Sequence, residues 1–117
     1  MSEAEPVAPG PEDVKIITLA RAARARVASA EGAAVRDETG RTYAAAAVAL
    51  PSLQLSALHL AVAMAASSGA SALEAAALVS DGSPPDPSDL AAVRELGPRA
   101  VVFHAAPDGR VLATLRP

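Results

Sequence analysis

The chain is 117 residues long, 51% hydrophobic, with a formal net charge of −3. That length and apolar content fit one domain around a single core and exclude a disordered chain. With no cysteine and only two histidines, disulfides, thiolate metal sites and a histidine-rich metal site are excluded as well.

Alanine supplies 31 residues, Phe and Tyr one each and Trp none. Small side chains predict a thin core, for which oligomerisation is a natural supplement. Two aromatics cannot build a base-stacking platform, and a mildly acidic balance opposes non-specific binding to phosphates, so no nucleic-acid partner is expected.

Residues 1–10 are acidic and proline-bearing; they are expected to form a disordered tail, not a signal peptide, ahead of a domain over residues 11–117. A helix is predicted over residues 11–28. Pro11, Glu12 and Asp13 suit its N-terminus, and Arg21, Arg24 and Arg26 lie toward its C-terminal end, as the helix dipole favours. Ile16, Leu19, Ala20, Ala23 and Val27 give it one apolar face. The arginines admit two readings, a phosphate-binding strip or a solvated outer face; charge runs of this kind are usually the second.

Two apolar runs over residues 32–50 flank Asp37-Glu38-Thr39-Gly40, a hairpin signal. The second run is almost wholly apolar, which predicts a strand covered on both faces. After the break at Pro51-Ser52, a helix is expected to about residue 68, stopped by Gly69. Leu55, Leu58, Val62 and Ala65 lie on one side of it, Leu60 and Met64 on another. A helix apolar nearly all round needs a sheet on one side and a second layer or another subunit on the other. The longest apolar stretch, residues 57–66, is interrupted by His59 and is too short to span a bilayer, so no membrane partner is expected. A soluble cytoplasmic protein is the default.

Strands are predicted over residues 73–79, 100–104 and 111–115, with a loop over 80–87, a short helix over 88–96 and a turn at Pro107-Asp108-Gly109. This order predicts an α/β fold: a five-stranded mixed sheet with helices on both faces, three layers in all.

Several local motifs in this order resemble the small cytidine deaminases that act on free nucleosides. Gly32-Ala33-Ala34-Val35 with Asp37 and Gly40 resembles that family's Val-Gly-Ala-Ala-x-x-Asp-x-x-Gly hairpin. Ser67-Ser68-Gly69 is similar to the Ser-Glu-Gly closing its zinc-binding helix, Glu95-Leu96-Gly97 to its Glu-Phe-Gly, and Pro107-Asp108-Gly109 with Val111 and Thr114-Leu115 to its last hairpin. The similarity covers about residues 14–115. It implies a cytidine deaminase-like fold, commonly assembled as tetramers through the central helices, so a homo-oligomer, tetramer or dimer, is expected.

The resemblance also implies where the family's chemistry would stand. Its enzymes hold a zinc ion that activates water, while a glutamate shuttles protons. Their Cys-Ala-Glu falls on Ser56-Ala57-Leu58, and their Pro-Cys-x-x-Cys on Pro85-Asp86-Pro87-Ser88-Asp89. The ribose-binding Asn-x-Glu falls on Ala45 and Ala47, and the Pro-Tyr-Ser loop near Ala25-Arg26-Val27 is absent. Ser56, Leu58, Asp86 and Asp89 are thus vestigial catalytic and metal positions, and Ala45 and Ala47 vestigial nucleoside positions. A neutral hydroxyl is a poor zinc ligand, two aspartates sooner suit a hard cation, and leucine carries no proton.

The residues themselves favour structural roles. Asp86-Pro87-Ser88-Asp89 reads as N-cap to N3 of a helix, and Ser56 as a cap of the central helix. His59 and His104 are read as satisfied histidines, Tyr43 and Phe103 as packing residues. The expectation is a catalytically inactive deaminase-like homo-oligomer serving as a structural or interaction module, with no metal and no cofactor. The alternatives are a zinc-dependent nucleoside deaminase with an atypical site, and a nucleoside-binding module using the vestigial pocket.

Overall fold

The computed structural model describes residues 8–117. Most of the predicted tail, residues 1–7, lies outside the described residues. Helix α1 (Pro11–Arg26) is followed by β1 (Glu31–Asp37), β2 (Thr42–Ala46), β3 (Val48–Leu50) and β4 (Leu53–Leu55). Then come α2 (Ala57–Ser67), β5 (Leu73–Ser80), α3 (Pro87–Leu96), β6 (Val101–Ala105) and β7 (Val111–Leu115). Five strands form one sheet in the order β2-β1-β5-β6-β7, with only the β5–β6 pair parallel. This is the mixed α/β sheet expected from the chain order.

The period-two alternation of the strands sorts the core into two halves. Ala34, Ala75, Ala77, Val79, Phe103 and Ala105 face α1 with Ile16, Ile17 and Ala20. Ala33, Val35, Ala76, Leu78 and Val102 face α2 and α3 with Leu58, Ala61, Val62, Ala65 and Val93. Opposite Arg36 and Asp37 the register of β5 shifts, from Ala75 to Leu73. This bulge inserts Glu74, which turns outward to receive Arg36 Nε at 3.0 Å, while Arg36 Nη1 reaches Asp13 of α1 at 3.1 Å.

Four expectations are corrected. Helix α1 buries Ile16, Ile17, Ala20 and Ala23, whereas Leu19 and Val27 are exposed; the chain has left the helix at Val27. Strand β2 has a helix on each face as expected, Ala44 packing on the α1 side and Ala45 on the α2 side, but as an edge strand it stays mostly half-buried. The segment just after Pro51-Ser52, residues 53–55, is strand and not the start of the helix. Pro51 and Ser52 turn a two-stranded hairpin, β3 with β4, which is separate from the main sheet, and α2 starts only at Ala57. The alternation of Val48, Leu50, Leu53 and Leu55 was the available strand signal. Strand β5 runs one residue past expectation to Ser80, β6 lies one residue later at Val101–Ala105, and α3 starts at Pro87, where its capping pattern put it, rather than at residue 88.

Small residues bring α1 close to the sheet. A Cβ placed on Gly32 would stand 2.1 Å from the Ala20 carbonyl oxygen and 2.7 Å from the Arg24 nitrogen. Glycine is required here by helix–strand distance, not by backbone angle. The hairpin turn after β1 is closed by the Asp37 carboxylate. It accepts from the Thr39 hydroxyl at 2.7 Å, the Tyr43 phenol at 2.8 Å and the amides of Thr39 and Arg41 at 2.9 and 3.0 Å. Desolvation pushes this carboxyl up, but the Thr39 and Tyr43 side-chain bonds and the two amide bonds outweigh it and hold its pKa at about 2, below the ordinary 3.8.

Gly32→Ala is expected to force α1 off the sheet and to lower stability by about 2 kcal/mol or more, read as a shift in the urea midpoint. The Asp37 carboxyl gives a second prediction. Its depressed pKa means the folded chain binds fewer protons than the unfolded one, so its stabilisation is complete above the ordinary value and is lost as pH falls through about 2. Asp37→Asn is expected to flatten stability against pH over that window, measured by chemical unfolding at a series of acidic pH values.

Candidate functional site

Helices α2 and α3 meet by their N-termini on one face of the sheet. Ser56 has extended backbone (φ −69°, ψ 158°) and is the N-cap of α2; its Oγ accepts from the His59 amide at 3.1 Å. The first amide of α2, that of Ala57, donates to Glu31 Oε1 at 2.9 Å, and the Leu60 amide to the Ser56 carbonyl at 3.0 Å. Orphan amides of the first turn are thus satisfied from two directions, one local and one from the start of β1.

Asp86 is the N-cap of α3, Pro87 its first residue and Asp89 its N3 position, as the sequence predicts. The Asp89 carboxylate is 3% exposed. Its Oδ2 accepts from the Asp86 amide at 3.3 Å, which closes the first turn of α3. Its Oδ1 accepts from the Ser56 hydroxyl at 2.6 Å and lies 3.5 Å from His59 Nε2. That imidazole nitrogen donates to the Ser88 carbonyl at 3.0 Å. One carboxylate therefore joins the starts of both helices, where two helix dipoles favour negative charge.

The fold brings Ser56, Asp86 and Asp89 together. Leu58 does not join them: it is fully buried in the apolar cluster beneath α2. Ala45 belongs to that same cluster, and Ala47 lies half-buried between β2 and β3. Glu31 was missed by sequence reasoning. It acts across 26 positions on an amide, and no local pattern marks such a partner.

The other histidine braces the loop leading into α3. His104, near the end of β6, is buried, and its Nε2 lies 2.8 Å from Ser80 Oγ. Ser80 donates to the Ser83 carbonyl at 2.6 Å, so it accepts from His104. Burial pushes the imidazole pKa below 6.5, against a smaller opposing effect from the Ser83 backbone. Phe103 packs under α1, and Tyr43 serves the Asp37 turn. Among the described residues no group of three or more His, Cys, Asp or Glu side chains is placed to hold a metal ion, and no helix is long and apolar enough to cross a membrane.

The family profile described as "Cytidine deaminase-like" matches residues 9–109. The chain belongs to the cytidine deaminase-like family. Its fold is similar to cytidine deaminase from Burkholderia pseudomallei, with a TM-score of 0.75 at 23% identity, covering 87% of this chain and 90% of that one. It is also similar to cytidine deaminase from Mycobacterium leprae (TM-score 0.65, 22% identity, 87% and 90% covered). A third is cytidine deaminase from Mycobacterium tuberculosis (TM-score 0.63, 24% identity, 85% and 87% covered). No curated protein sequence matches. In this cytidine deaminase-like chain the five-stranded sheet between helices agrees with those structures.

Removing either partner of the Ser56–Asp89 bond should loosen the helix junction. Ser56→Ala loses an N-cap and leaves a buried carboxylate short of a donor, and is expected to cost about 1–3 kcal/mol. A double-mutant cycle with Asp89→Ala, followed by urea unfolding, is expected to give a coupling energy of about 1 kcal/mol or more.

Proposed function

We propose that this chain is a catalytically inactive member of its family and serves as a homo-oligomeric structural or interaction module. One observation carries the reading: the Ser56 hydroxyl donates to Asp89 at 2.6 Å, so two positions that the sequence resemblance sets on the family's metal ligands bind each other. The groups present do not fit zinc. The chain has no cysteine, a neutral hydroxyl is a weak donor to that ion, and the Asp89 oxygens already accept from Ser56 and Asp86. The position aligned with the proton-shuttling glutamate is Leu58, an apolar side chain in the core. No deamination step is derived through such a site.

Support for self-association comes from charge and exposure together. Residues 42–73 contain no Asp, Glu, Lys or Arg. They build β2, the β3–β4 hairpin and α2, and they leave Leu50 53%, Leu53 48% and Met64 37% exposed. A two-stranded hairpin alone is marginal in water. Tyr43, Leu60, Ala63 and Met64 line a concavity between β2 and α2. A second copy, uncharged over the same segment, offers this surface a cover that leaves no charge unpaired.

Purified protein incubated with cytidine is expected to leave its absorbance unchanged and to hold less than stoichiometric zinc by elemental analysis. Cytidine turnover with one zinc per chain would overturn the inactive reading. Sedimentation is expected to give a dimer or tetramer that Leu53→Lys shifts toward monomer; a monomer at all concentrations would remove the assembly. Saturable binding of cytidine without turnover, seen by isothermal titration, would instead favour a nucleoside-binding module.

A further inference from the structure

The α1 face of the sheet carries a second concavity, of about 340 Å³, lined by Thr18, Arg21, Ala22, Arg24, Ala25, Val79 and Pro107. Both arginines are tied to the backbone through Nε. Arg21 Nε donates to the Pro107 carbonyl at 3.0 Å, across the β6–β7 turn, and Arg24 Nε donates to the Ala30 carbonyl at 3.2 Å. Gly109 makes room for the first of these, since a Cβ there would stand 3.3 Å from Arg21 Cδ. Among the described residues neither guanidinium has a carboxylate partner. Among the described residues their Nη donors are thus uncommitted to any carboxylate and open to a ligand.

The placement is that of a ligand crevice. Val79 lies one residue before the end of β5, and Pro107 follows the end of its parallel neighbour β6. In open α/β sheets ligands bind beyond the carboxyl ends of such strands. The Ser56–Asp89 junction lies at this end of the sheet as well but on the α2–α3 face, so the two sites are separate.

We propose that this concavity binds a diphosphate group, free or as part of a phosphorylated small molecule. Arg21 and Arg24 are three positions apart on α1 and lie on neighbouring turns, about 5–6 Å apart at Cβ. Each planar guanidinium can offer paired N–H donors to one phosphoryl group, and the Thr18 hydroxyl adds a third donor. A single carboxylate has too few oxygens to meet both forks. Arg24 lies in the last turn of α1 and is partly engaged by the helix's own negative end; Arg21, a turn earlier, is not. Arg21 therefore contributes more of the affinity.

Isothermal titration of the full chain with inorganic pyrophosphate at low ionic strength is expected to give saturable one-to-one binding. Arg21→Gln weakens it by at least about tenfold, in line with loss of a charge-assisted hydrogen bond, and Arg24→Gln weakens it less. Arg21→Lys, which keeps the charge but loses the fork, falls between. Arg99→Gln, before β6 at the opposite end of the sheet, leaves affinity within about twofold, as expected for screened long-range charge. A nucleoside diphosphate competes with pyrophosphate and the phosphate-free nucleoside does not. Absence of saturable binding, or equal weakening by Arg21→Gln and Arg99→Gln, overturns the site. If Arg21→Gln does not fold, Arg21→Lys and Arg24→Gln decide the same question.

Discussion

Asp89 is the point on which the α2–α3 face depends. A carboxylate 3% exposed is costly to bury unless donors surround it. Here the Ser56 hydroxyl and the Asp86 amide supply them, and the N-termini of two helices add favourable dipoles. The same bond that satisfies the charge fixes where α2 begins relative to α3. Glu31 repeats the device from the sheet, taking the Ala57 amide. Two carboxylates and a serine thus stitch two helices and β1 together.

The composition sets a different constraint on the rest of the molecule. Alanine on both sides of the α1–sheet interface, with Gly32 at its tightest point, allows helix and sheet to approach until no side chain can be added. Close approach recovers dispersion contact that small side chains would otherwise forfeit. The opposite layer lacks such a cover everywhere. Strand β2 stays half-buried, and the β3–β4 hairpin leaves its leucines in water. Those open surfaces coincide with the uncharged stretch of the sequence, and this coincidence motivates the proposed assembly.

Charge is correspondingly concentrated elsewhere. Arg36 is spent inside the molecule, bridging Asp13 and Glu74. Among the described residues Arg21 and Arg24 are anchored to backbone carbonyls and to no carboxylate. The first arrangement is architectural; the second leaves donors facing a concavity. The two faces of the sheet consequently present different chemistry at the same end, a closed polar junction on one and open cationic forks on the other.

Much of the architecture was legible in the sequence because it rests on local signals. Period-two and helical apolar patterns marked the five sheet strands and three helices, and Asp86-Pro87-Ser88-Asp89 marked the start of α3 by its capping chemistry. The hairpin at residues 48–55 was not legible as such, since a short apolar run suits a strand and a helix equally and Pro51-Ser52 reads as a break in either. Nor could periodicity tell that Leu19 of α1 stays outside while Ile17 goes in, which depends on how the helix is rotated on the sheet. By itself the sequence determined the order of the five sheet strands and three helices, the absence of cysteine and the capping pattern that starts α3. Only the tertiary structure decided that Ser56 and Asp89 are bonded, that Glu31 serves α2 and that Arg21 reaches Pro107. Those pairings join residues dozens of positions apart, and their geometry exists only once the sheet has set the helices against it.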